Sequence, residues 1–254
     1  MSGTARRLFQ TAAAVLFWLG VWALLARLVD RELLLPSPWR VLCRVWELAG
    51  SAGFWTTTAW SILRVLSGLA AGTLLGVLLA ALTEWSAAAK ALLSPLMLLV
   101  KSTPVASFII LALIWLGRSV LPAFITGLMV LPVVWANVSA GIAGRDPLLL
   151  EMARVYRLPR LRVLRRITVP SVLPHFRAAM SAALGMGWKA GIAAEVLTVP
   201  ARSIGKMIYE SKLYLETTEL FAWTTVVVVL SLIIERLLLR LVRGAKRKGE
   251  SERA

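Results

Sequence analysis

The chain has 254 residues, 59% of them hydrophobic, with a mean hydropathy of +0.77 and a formal net charge of +16. Several runs of about twenty residues carry at most one or two charges, the length needed to cross about 30 Å of hydrocarbon, which excludes a soluble globular domain and predicts an integral membrane protein. The single cysteine, Cys43, and single histidine, His175, exclude a disulfide framework and a zinc cluster, and the basic excess falls in loops and at the C-terminal end rather than in a nucleic-acid-binding patch.

In chain order, the first apolar run, 8–29, follows Arg6 and Arg7 as a secretory signal would. It is longer than a signal core, and ALLARLV near its end offers no small-residue cleavage pattern, so it reads as a retained span. Next, PSPWRVLCRVWEL has Ser37 as an N-cap and Pro38 at the first helical position. Trp39, Leu42, Cys43 and Trp46 share one face, and Arg40, Arg44 and Glu47 the other, which predicts a short helix lying flat on the outer surface against lipid. Five further spans are expected at 57–83, 91–116, 119–143, 172–199 and 219–241. The whole, 1–254, reads as a single all-α transmembrane domain of about six helices with one long polar loop, 144–170, and a short charged tail, 244–254.

Trp55 and Trp60 open the second span, Trp85 closes it, Trp115 closes the third and Trp223 opens the sixth, positions suited to interfacial anchors. Gly68, Gly72 and Gly76 give the second span a bare face for close approach of another helix, in the same subunit or a neighbouring one. With a cytoplasmic N-terminus, sixteen basic residues fall in inside segments and seven in outside loops, so the positive-inside rule places both termini in the cytoplasm.

Ionisable residues within spans are functional candidates by default. Arg64 and Glu195 have similar depth near the outer end, which permits a structural ion pair. Lys101 lies near the middle of the third span in VKSTPVAS, where Pro104 frees carbonyls that Ser102 and Thr103 can satisfy, so a broken helix there could line a solute pathway. Lys189, beside Trp188 in GMGWKAG, has similar status, and Asn137 and Trp135 are further pathway candidates. If the two lysines face a cavity they favour an anionic solute; if they snorkel they carry no such information. No P-loop ending in Gly-Lys-Ser/Thr and no catalytic set of serine, histidine and carboxylate occurs within the spans, so neither ATP hydrolysis nor any other enzymatic activity is expected, and no cofactor.

The polar loop holds seven arginines from Arg145 to Arg166. At ~2.5–3.5 kcal/mol for each arginine at the bilayer centre, spanning would cost roughly 17–25 kcal/mol, so the segment stays in water. Asp146 and Pro147 start a helix with Leu148, Met152 and Val155 on one side and Arg154, Arg157 and Arg160 on another; Glu151 is spaced to pair with Arg154, and Pro159 ends the helix. A basic loop held near anionic lipid, and a docking helix for a soluble partner, both fit this pattern.

Glu151, Ala153, Ile167 and Pro170 resemble the cytoplasmic motif of permease subunits of binding-protein-dependent ABC importers, with three residues between Ala153 and Arg157 and nine between Arg157 and Ile167 as in that motif. Met152 stands at its middle alanine, Val169 at its leucine, and Arg157 at its glycine, where backbone angles easy for glycine cost an arginine energy. LLPSP at 34–38, SILRVLSG at 61–68, IWLG at 114–117 and WKAGIAAEVL at 188–197 are similar to the branch serving nitrate, sulfonates and taurine. The resemblance implies a homodimer in a bacterial inner membrane, a separate ATPase subunit docked through Glu151, Met152, Ala153, Val155, Arg157, Ile167 and Pro170, and an extracytoplasmic solute-binding protein. The implied solute is a small anion such as a sulfonate or nitrate. A vitamin precursor or other small heterocycle, or an ATPase-independent transporter or channel, are the alternatives.

Overall fold

The computed structural model describes residues 3–251, and the side chains of 9–237 and 240. Among the described residues the regular structure is helical: α1 Gly3–Val29, α2 Pro38–Ala49, α3 Ala52–Trp85, α4 Ala87–Ser102, α5 Val105–Ala112, α6 Leu121–Ala143, α7 Pro147–Val155, α8 Arg160–Val163, a π-helical turn Leu164–Thr168, α9 Val169–Thr198, α10 Ile204–Leu213 and α11 Thr217–Ser251. Several helix starts fall where short polar side chains accept from the free first-turn amides. Ser51 Oγ takes the N–H of Phe54 at 3.1 Å, Ser86 Oγ that of Ala89 at 3.2 Å and Ser203 Oγ that of Lys206 at 3.0 Å. The backbone of the expected charged tail continues α11 as helix to Ser251, and 252–254 lie outside the described residues.

α1, α3, α6 and α11 are long and apolar enough to cross a membrane. The expected third span is not one straight helix. α4 and α5 meet at 103° across Thr103 and Pro104. Pro104 has no N–H to continue the ladder, and the hydroxyls of Ser102 and Thr103 donate to the carbonyls of Leu98 at 2.9 Å and Leu99 at 2.8 Å, so the end of α4 is satisfied from within. α9 has 30 residues, about 45 Å of helix, and is long enough to span. Its alanines, glycines and Arg177, Lys189 and Glu195 dilute its apolarity because neighbouring helices, not lipid, cover much of it.

The core is α3, α6 and α9. A Cβ on Gly68 would stand 2.1 Å from the carbonyl oxygen of Ala123, and one on Gly72 2.5 Å from that of Gly127, so the glycine stripe of α3 is spent on backbone contact with α6 of the same chain. Leu69, Val130, Val134, Val138, Ala179 and Ala183 fill the space below. At one end α2, α3, α10 and α11 meet over Phe54 and Trp223, whose rings stack at 5.2 Å. α2 buries Val41 and turns Trp39, Leu42, Cys43 and Trp46 outward. Its Arg44 donates to Glu219 at 2.6 Å and to Glu47 at 2.9 Å, hydrogen bonds that raise the guanidinium pKa above its ordinary value. α1 buries none of its apolar span, and meets the rest through Trp22, whose Nε1 donates to the carbonyl of Pro36 at 3.1 Å.

Candidate functional site

The α6–α9 loop is built from its caps inward. Asp146 Oδ1 accepts the N–H of Leu148 at 2.9 Å and Pro147 fills the first helical position, so α7 begins where the sequence signals it. α7 leaves Leu148, Leu149, Met152, Val155 and Tyr156 exposed and buries Ala153. It ends in a Schellman motif, in which the N–H of Arg157 reaches the carbonyl of Arg154 at 3.0 Å and that of Leu158 reaches Ala153 at 2.9 Å. Arg157 takes φ +48° there, the left-handed geometry that the resemblance leads one to expect at the motif's glycine. Glu151 and Arg154 are both exposed, and no ion pair joins them. On the return path Ile167 is buried in the π-helical turn and Pro170 is exposed in the first turn of α9. The result is a short apolar ridge framed by exposed Arg154, Arg157, Arg160, Arg162, Arg165 and Arg166, a shape for contact with a water-soluble surface.

The intramembrane candidates separate. Lys101 and Ser102 are exposed at the α4–α5 break, with Thr103 half-buried beside them. Lys189 lies on an exposed stripe of α9 with Ala182, Met186, Ala193 and Leu197. Asn137 is half-buried and bonds within its own helix, Nδ2 donating to the Val133 carbonyl at 2.8 Å. Trp188 is buried, and its Nε1 donates to the Val227 carbonyl at 3.2 Å, which turns the ring toward α11. The Trp135 Nε1 donates to Thr83 Oγ1 at 3.3 Å. A groove of about 680 Å³ between α1 and α2, lined by Leu19, Arg27, Arg31 and Trp39 among others, contains none of these residues.

Arg64 and Glu195 come together at 3.3 Å inside a larger network. The fully buried Glu195 carboxylate also accepts from Ser61 Oγ at 2.7 Å and from the N–H of Gly205 at 3.2 Å. Arg64 donates further to the carbonyls of Ala201 at 2.8 Å and Arg202 at 3.1 Å, and Ser61 Oγ accepts the N–H of Ile204 at 2.9 Å. One carboxylate therefore joins α3, α9 and the first turn of α10, with compensation for each buried charge. Ser61 and α10 are not found by the sequence reading. Ser61 lies three residues before Arg64 on the same face, and Ser203 with its N-cap bond is the one local signal for α10.

Residues 72–247 match the family of binding-protein-dependent transport system inner membrane components. The chain belongs to this family. As such it is the membrane permease of an ABC importer, a non-enzymatic subunit, with ATP hydrolysis carried by a separate one. It is 26% identical over 224 residues, 85% of this chain and 81% of the relative, to the taurine transport system permease protein TauC of Escherichia coli K12. It is 30% identical over 207 residues, 81% of this chain and 75% of the relative, to the putative aliphatic sulfonates transport permease protein of the same organism. The permease fold is shared with a crystal structure of an amino acid ABC transporter, at a TM-score of 0.57 and 16% identity over 74% of this chain and 90% of that one.

Proposed function

We propose that the permease works as a homodimer in a bacterial inner membrane, with both termini and α7 on the cytoplasmic side, and imports an organic sulfonate delivered by an extracytoplasmic binding protein. The observation that carries this reading is α7 itself, a nine-residue helix that packs extensively on no other helix and presents Met152, Val155 and Tyr156 between arginines. Met152 and Val155 enter a cleft of the ATPase subunit, with Glu151 and Arg157 at the rim. Ala153 and Ile167, being buried, hold the loop's own shape, and Pro170 starts the helix that receives the motion.

The sulfonate reading is supported by the two relatives and by Lys101 and Lys189, two exposed cations on segments of membrane depth. Each ammonium meets a sulfonate oxygen as a point charge, and in a partly dry passage such an attraction is several times stronger than in water. Thr103 and Ser102 stay engaged with the α4 carbonyls and shape the break rather than hold solute.

The test is co-purification. The co-expressed ATPase subunit is expected to be retained by the native permease, and to be lost by about tenfold or more when Met152 and Val155 are both changed to aspartate, because desolvating two carboxylates in an apolar cleft outweighs the rest of the contact. Retention by the double variant at the native level sinks the docking assignment.

A further inference from the structure

The seven arginines of the loop are not alike. Six are exposed, whereas Arg145 is half-buried and engages three partners at once. Its Nε donates to the carbonyl of Ile142 at 2.7 Å, its Nη2 to Glu84 Oε1 at 2.5 Å, and its Nη1, more weakly, to Thr168 Oγ1 at 3.5 Å. Ile142 belongs to the last turn of α6, where the chain leaves for α7. Thr168 closes the π-helical turn by which the chain returns to α9. Glu84 is the penultimate residue of α3, three residues before α4 starts. A single guanidinium thus ties the outgoing and returning strands of the loop to the corner between α3 and α4. Thr83, next to Glu84, accepts from Trp135, which pins that corner to α6 as well. From the corner, α4 runs directly to Lys101 and the break at Pro104.

We propose that Arg145 is a positioning residue for transport: the Glu84–Arg145–Thr168 bridge keeps α7 in register with the α3–α4 corner, so that a displacement of α7 reaches the broken helix instead of being absorbed in the loop. The proposal rests on the docking of an ATPase to α7. A planar guanidinium holds three acceptors at fixed angles, which a lysine's single ammonium does not. The Arg145 and Glu84 side chains are 21% and 32% exposed at the end of the bundle, and neither belongs to the apolar cluster that fills the α3–α6–α9 core. Breaking the pair should therefore spare folding and docking and alter only what passes between them.

The experiment uses the permease co-expressed with its ATPase subunit, with Cys43→Ser as background and an environment-sensitive fluorophore on Leu98→Cys, an exposed site on α4. ATP and magnesium are added, and phosphate release is followed in parallel. The native pair is expected to show an ATP-dependent fluorescence change. Arg145→Lys and Glu84→Gln are each expected to keep the ATPase bound and its hydrolysis within about twofold, while the fluorescence change falls about fivefold or more. The exchange of Arg145→Glu with Glu84→Arg is expected to recover a change at least about threefold larger than Arg145→Glu alone. The proposal is overturned if the native protein shows no change at α4, if the single variants keep it in full, if signal and hydrolysis decline in step, or if the exchange recovers nothing. An ATPase that fails to co-purify with the native permease sinks the docking reading instead, a separate result.

Discussion

At the scale of single residues, Arg157 and Glu195 each carry energy that their neighbours must offset. Arg157 holds φ +48° at the end of α7, a region that costs a residue with a Cβ about 1–2 kcal/mol. Arg157→Gly removes that strain but frees a more flexible unfolded chain, so we expect a net local gain of roughly 0.5–1 kcal/mol. The measurement is hydrogen exchange at the Leu158 amide, whose bond to Ala153 closes the motif; it should slow about two- to fivefold, and faster exchange would count against the strain argument. The second position is Glu195. Arg64→Gln leaves its carboxylate buried with Ser61 and Gly205 alone, a loss on the order of 3–5 kcal/mol for an abandoned charge. Glu195→Gln leaves Arg64, partly exposed, with the carbonyls of Ala201 and Arg202 still in reach, and should cost less. Thermal unfolding in detergent should therefore show the arginine variant melting below the glutamine-for-glutamate variant, and the reverse order would show that the network is not organised around the carboxylate.

At the scale of helices, what the sequence made legible depended on whether one residue type could do the signalling. Pro104 with Ser102 and Thr103 marked the break in the third span, since the chemistry that ends a helix is local. The Gly68, Gly72 and Gly76 repeat marked a bare face, but spacing alone did not say which helix would lie on it; the answer, α6 of the same chain, needed the positions of Ala123 and Gly127. α10 went unseen because a ten-residue helix has no long apolar pattern, and its first turn is fixed by Glu195 and Ser61 from other helices. The same distance hid the Arg145 bridge, whose partner Glu84 is 61 residues away. The glycine contact makes a prediction with its own control. Gly72→Ala sets a methyl 2.5 Å from the Gly127 carbonyl and should destabilise the fold by about 1–3 kcal/mol, whereas Gly53→Ala, where an added methyl meets nothing within 4 Å beyond its own helix backbone, should be neutral or stabilise α3 by up to about 1 kcal/mol. Equal melting shifts for the two would mean that α3 and α6 do not touch as described.

At the scale of the whole molecule, the fold makes the direction of insertion accessible to a single measurement. α3 starts beside α2 and sets Glu84, in its last turn, against the loop arginine Arg145, so its 34 residues, about 51 Å of helix, hold Cys43 and the α7 loop at opposite ends of the bundle. Cys43 is the one cysteine of the chain and is exposed on α2. The positive-inside rule acts on arginines and lysines close to span ends, and the loop between α6 and α9 carries seven arginines, so its crossing to the far side during insertion would be opposed far more strongly than that of α2 with Arg40 and Arg44. A membrane-impermeant maleimide applied to cells with a permeabilised outer envelope should therefore modify Cys43 in the native chain and leave Cys43→Ser/Arg160→Cys unmodified. In inverted vesicles the pattern should reverse. Modification of the Arg160→Cys variant from outside the cell would put α7 beyond the reach of any ATP-hydrolysing subunit, and both the docking of α7 and the bridge through Arg145 would lose their meaning.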